Sequence, residues 1–141
     1  MKSAQRYITS AVLLLLLGVS AHAGKRPSQT DLGVPIYPKA TFLGSFTEGP
    51  AARYLFGSND LSISVVQFYR AKTGRKPERI KRPDGTETHR FVLRGRKGAV
   101  VPDLEVRVNH FPGGFTIPDE RGQTRQYRTT IVINKKRRGV R

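Results

Sequence analysis

The chain has 141 residues, 26 of them basic and 10 acidic, for a formal charge of +16, and it contains neither cysteine nor tryptophan. That length supports one domain with one modest core. The lack of cysteine excludes disulfides, thiolate metal sites and a lipoprotein anchor, and the few aromatics argue against a stacking platform for single-stranded nucleic acid.

Residues 1–23 carry the pattern of a secretory signal peptide. Lys2 and Arg6 form a positive start, Ile8 to Val19 an apolar run, and Ala21-His22-Ala23 a small-x-small cleavage site. The run is too short to span about 30 Å of hydrocarbon comfortably, so no transmembrane anchor is expected after cleavage. The mature chain would be Gly24 to Arg141, exported to a bacterial periplasm or to the medium. Cleavage would remove Lys2 and Arg6, leaving 24 basic residues against 10 acidic ones. So large an excess favours an anionic partner such as nucleic acid, phosphate-rich lipid or lipopolysaccharide, or acidic polysaccharide. Plain solubility would account for the same number.

Residues 24–31 are polar and read as a flexible lead-in to a domain spanning 32–135. Leu32 to Ala40 holds Pro35 and Pro38, which keep it extended and present Ile36 and Tyr37 to a core. Thr41–Phe46 and Ala52–Phe56 read as strands about a Glu48-Gly49-Pro50 turn.

Ser58 to Gly74 is predicted to form the domain's helix. Ser58, Asn59 and Asp60 are good N-cap types, and Gly74 suits the left-handed position past a helix end. Leu61, Val65, Phe68, Tyr69 and Lys72 share one stripe, with Val66 on its flank, and this stripe is expected to pack on a sheet. Ile63 lies off it. The Leu32-Gly33-Val34-Pro35-Ile36-Tyr37-Pro38-Lys39-Ala40 segment, taken with the later helix carrying Phe68-Tyr69, resembles a group of small exported bacterial domains of unknown function. They are similar in their Leu-Gly-x-Pro-x-Tyr-Pro-x-Ala lead-in, two strands and a helix ending in Phe-Tyr. The likeness covers Leu32 to Gly74 and departs at Lys39, where the pattern has a small residue. It implies a fold and an export route and brings over no site residues.

Beyond the helix, Arg75-Lys76-Pro77 is a basic link. Glu78–Arg82 reads as a weak strand, turned through Pro83-Asp84-Gly85 into a stronger one, Thr86–Arg94. A loop from Gly95 to Asp103 leads to Leu104–Phe111, where Leu104, Val106 and Val108 alternate with Glu105, Arg107 and Asn109. Pro112 to Gln123 reads as a long mobile connection. Thr124–Lys135 is the last strand, with Tyr127, Thr129, Ile131 and Ile133 on one face, and residues 136–141 form a basic tail too charged to pack. The order β-β-α-β-β-β-β predicts an α+β domain: a mostly antiparallel sheet with one amphipathic helix on one face.

Phosphate-cradling, zinc-protease, dinucleotide and nucleophile-elbow motifs are absent, and nothing implies a cofactor or metal. One constellation merits attention. If Leu93 lies opposite Leu104, then Glu87 falls opposite His110, with His89 two residues along on the same face. If Leu104 also lies opposite Ile131, Arg125 lands beside His110. A carboxylate, a histidine and an arginine so placed could cleave RNA without metal, as base, acid and phosphate ligand respectively. Ordinary rim pairing at strand ends accounts for the same residues. The other reading is diffuse anion binding by Arg75, Lys76, Arg94, Arg96, Lys97, Lys135, Lys136, Arg137 and Arg138. The sequence favours this non-enzymatic binding to an anionic surface or polymer, with the ribonuclease-like phosphodiesterase as the alternative.

Overall fold

The computed structural model describes residues 25–96, 101–118 and 122–139; the expected leader, residues 1–23, lies outside them, as does Lys97. Along the chain run α1 (Gln29–Leu32), β1 (Thr41–Glu48), β2 (Ala51–Ser58), α2 (Ser62–Thr73), β3 (Glu78–Lys81), β4 (Glu87–Arg94), β5 (Leu104–Pro118) and β6 (Thr124–Lys136). The fold is α+β. Its six strands make one antiparallel sheet in the order β1-β2-β6-β5-β4-β3. A β1–β2 hairpin and a β3-to-β6 meander are joined where β6 docks against β2.

One face of this sheet carries the core. Phe56, Phe91, Leu104, Val106, Val108, Ile131 and Ile133 gather with Val65, Val66 and Tyr69 of α2 and with Leu32, Val34 and Tyr37 of the lead-in. The Tyr69 ring packs against Phe91 and against Phe68, and Phe68 meets Tyr37 edge-on at 5.3 Å. Burial of each such side chain contributes about 1.5–3 kcal/mol. That is what holds a 12-residue helix whose own propensity would leave it marginal.

The helix differs from expectation at its start. β2 runs on to Ser58, which is buried and pairs with Thr129, so Ser58 belongs to the sheet. Asp60 is engaged elsewhere: Tyr37 donates its hydroxyl to the Asp60 carboxylate, and Lys39 approaches it at 3.8 Å. That carboxylate and burial together push the Tyr37 phenol up to about 12. The N-cap is therefore Leu61, which has no side chain to cap with. Leu61 is 56 % exposed and Ile63 54 %, so the buried stripe is Val65, Val66 and Tyr69 with Phe68 beside it, and neither Leu61 nor Lys72 belongs to it. At the other end Gly74 takes the left-handed conformation, as expected.

Three further segments are more ordered than their composition suggests. Ser28 and Asp31 form a reciprocal capping box on α1, so the flexible lead-in contains a helical turn whose Leu32 is fully buried. β5 continues through Pro112 to Pro118 in place of the expected mobile connection. Its pairing is interrupted between His110 and Phe115, where Gly114 takes a positive φ, and resumes with Phe115 opposite Tyr127. The basic tail begins one residue later than expected: Lys136 is paired with Ala51, and the Arg137 amide donates to the Pro50 carbonyl.

These placements set clear expectations for stability. Val65→Ala should cost about 1.5–3 kcal/mol in urea unfolding, whereas Leu61→Ala should change it by less than about 0.5 kcal/mol. A Cβ at Gly57 would lie 2.6 Å from the Tyr127 ring. Gly57→Ala should therefore cost about 1–3 kcal/mol, and the double variant with Tyr127→Ala should lose less than the sum of the two single losses.

Candidate functional site

β4 and β6 both run antiparallel to β5, so both finish at the sheet end where β5 begins. The register there sets Arg94 opposite Leu104 and Leu104 opposite Lys135. Two basic runs some forty residues apart in sequence thus become neighbours: Arg94 and Arg96 after β4, and Lys135 to Arg138 at the end of β6. Arg94, Arg96, Lys136, Arg137 and Arg138 are exposed. Lys135 is half-buried because its ammonium donates to the Asp31 backbone carbonyl, and a guanidinium nitrogen of Arg94 lies over Gly33. Acidic groups here are few. Asp31 is engaged by Ser28, and those hydrogen bonds hold its carboxyl below the usual range. Asp103 sits 3.9 Å from Lys136. Arg75 and Lys76 are exposed in the link that precedes β3, whose first residue, Glu78, pairs with Arg90 of β4.

The expected Glu87–His110 pairing is present: the two residues are register partners on β4 and β5. It survives although Leu93 does not face Leu104, because an irregularity between Val92 and Arg94 sets Arg94 there instead. Arg125 does not join them. Leu104 faces Lys135, four residues from the Ile131 expected, so His110 faces Thr129 and Arg125 pairs with Ile117 on the far part of the hairpin. Parity permitted that error, since a slip of four residues keeps every side chain on its own face.

A different arginine meets the carboxylate. Arg79 of β3 donates through Nε at 2.7 Å and through its terminal nitrogen at 3.0 Å to the two Glu87 oxygens. This fork, chiefly, holds the Glu87 carboxyl below the usual range. His89 Nε2 lies 3.2 Å from Glu87, and burial keeps the imidazole below its ordinary value against the pull of that carboxylate. Among the described residues, no three His, Asp or Glu side chains gather closely enough to hold a metal ion, and no helix is long and apolar enough to cross a membrane.

A second polar cluster, which the sequence reading missed, occupies the sheet face away from α2. Glu105 is 2 % exposed. Its Oε2 accepts from Arg90 Nε at 2.6 Å, and its Oε1 accepts from Asn134 Nδ2 at 2.7 Å with an Arg107 terminal nitrogen 2.8 Å away. The signal available beforehand was a carboxylate and an arginine alternating along β5. Beside it, Thr88 donates to Asn109 and Asn109 to Thr130, a ladder crossing three strands. These bonds are internal and leave the Glu105 carboxylate no exposed surface with which to meet a ligand.

Comparison with protein-family models, with curated proteins and with solved structures finds no match.

Burial pushes the Glu105 carboxyl up, but hydrogen bonds from Arg90 and Asn134 and the nearby Arg107 outweigh it and leave it below the ordinary 4.5. A carboxyl depressed by folding contributes stability above its unfolded value and loses it as pH falls through the folded one. Glu105→Gln should therefore cost about 2–4 kcal/mol at pH 7, because it leaves two arginines without their partner. The deficit should shrink as stability is measured at successively lower pH below 4.5.

Proposed function

We propose that this protein is an exported, non-enzymatic domain that binds an anionic polymer or surface, such as nucleic acid, lipopolysaccharide or acidic polysaccharide, through the basic end of its sheet. The observation that carries this reading is the register joining Arg94, Leu104 and Lys135 in one row, which gathers Arg94, Arg96 and Lys135–Arg138 where few acids lie. Contacts of this kind neutralise phosphates and release counterions, so they supply affinity without sequence preference. Export is supported by the leader pattern of residues 1–23. The Leu32–Gly74 pattern supports placing the chain with the small exported bacterial domains it resembles, with α2 as the helix laid on the sheet.

The test is a salt titration with duplex DNA, lipopolysaccharide and an acidic polysaccharide. Affinity should fall steeply as salt rises, and for DNA the triple variant Arg94→Gln, Lys136→Gln, Arg138→Gln should reduce the slope of log K against log salt by about 2 to 3. An affinity indifferent to salt, or untouched by the triple variant, would overturn the reading.

The Glu87–His110 register pair favours a second reading, a metal-independent phosphodiesterase in which Arg79 stands where Arg125 was expected. It requires that purified protein cleave fluorescent RNA and that His110→Ala abolish the cleavage; intact RNA removes it.

A further inference from the structure

At the sheet end opposite the basic row, an open cleft of about 500 Å³ lies between the segment after β2 and the irregular part of the β5–β6 hairpin. Leu61, Phe111 and Pro112 give it an apolar wall; Asn59, His110 and Arg128 are among its polar groups, as is Gln126, whose amide donates to the Gly113 carbonyl. Core packing does not explain Leu61, which is more than half exposed. As the N-cap of α2 it provides no side-chain acceptor, and the helix has no acidic residue in its first turn. Through Leu61 the start of this 12-residue helix borders the cleft, and no side chain caps the positive end of its dipole.

A second, independent feature lies in the same place. Tyr127 lines the cleft and is only 4 % exposed, yet its hydroxyl has no hydrogen-bond partner. A buried hydroxyl left unpaired is unfavourable, and a bound acceptor would satisfy it. No acidic residue lines the cleft among the described residues. The neighbouring carboxylates are turned elsewhere, Asp60 to Tyr37 and Lys39, and Glu87 to Arg79.

We propose that this cleft binds a small anionic amphiphile, its apolar body against Leu61, Phe111 and Pro112 and its anionic head between Arg128 and the start of α2. The site is separate from the basic row, so binding there would stand whether or not polymer binding does. A cleft of this size, apolar along one wall with a few convergent polar groups, has the character of a small-molecule site.

The experiment titrates the purified protein with octanesulfonate and with octyltrimethylammonium, which share a chain and differ in the sign of the head, and follows backbone amide shifts by NMR. Octanesulfonate should bind saturably at one site, moving the amides of Asn59, Leu61, His110 and Gly113, and octyltrimethylammonium should not. Arg128→Gln and Leu61→Ser, both at exposed positions, should each weaken the sulfonate about tenfold. Arg94→Gln with Lys136→Gln should leave its affinity within about twofold. No saturable site, equal binding of the cation, or a loss as large in the basic-row variant as in Arg128→Gln would each overturn the proposal.

Discussion

The fold depends on the pairing of β6 with β2. Eight register pairs, from Ala51 with Lys136 to Ser58 with Thr129, join the end of the chain to its first hairpin. The contact is non-local, so its loop-closure entropy must be met by what it buries. It brings Phe56 beside Ile131 and Tyr54 beside Ile133 on the face that α2 covers. It also lets Thr129 donate its hydroxyl to the Asp60 carbonyl, fixing the segment from which α2 departs. Without it, the β1–β2 hairpin would be an isolated two-stranded ribbon, marginal on its own in water.

The lead-in motif finds its explanation in the same core. Leu32 is buried to the last atom and Ala40 nearly so. Gly33 adopts a left-handed conformation after α1, and a Cβ there would come 2.8 Å from the Arg94 guanidinium. Tyr37 packs its ring on Phe68 and spends its hydroxyl on Asp60, the residue that would otherwise have capped α2. Each of these positions answers a packing or backbone demand, and none is left over for chemistry. Lys39, where the chain departs from the pattern, is exposed and reaches toward Asp60, so the departure costs the core nothing.

Legibility followed the range of the interaction. Strands with strict alternation, such as Leu104 to Val108, and the αL glycine at 74 are encoded locally and could be read. Glu87 opposite His110 was readable because apolar parity left few registers open, and the irregularity that displaces Leu93 from Leu104 does not disturb the pairing further along β4. Arg125 was not, for two physical reasons. Slips by even numbers leave the burial pattern of β6 intact, and the Pro112-Gly113-Gly114 stretch, which reads as a turn, is an irregularity within a longer strand. Leu61 misled for a related reason: helical spacing assigns it to the stripe, but β2 takes Ser58 and Tyr37 takes Asp60, so the helix starts too late for Leu61 to turn inward.

Net charge alone would not distinguish a binding surface from a soluble one; its placement bears on the question. Where a charge serves the fold here, it is neutralised by name: Glu105 by Arg90 and Arg107, Glu87 by Arg79, Asp60 by the Tyr37 hydroxyl with Lys39 nearby. The row from Arg94 and Arg96 to Lys136, Arg137 and Arg138 has Asp103 as its close acidic neighbour among the described residues. Like charges so gathered repel one another and weaken the folded state, an effect that screening reduces and an anionic partner reverses. A partner bearing phosphates or carboxylates would supply compensation that Asp103 alone does not, which is the physical ground for the binding proposed above.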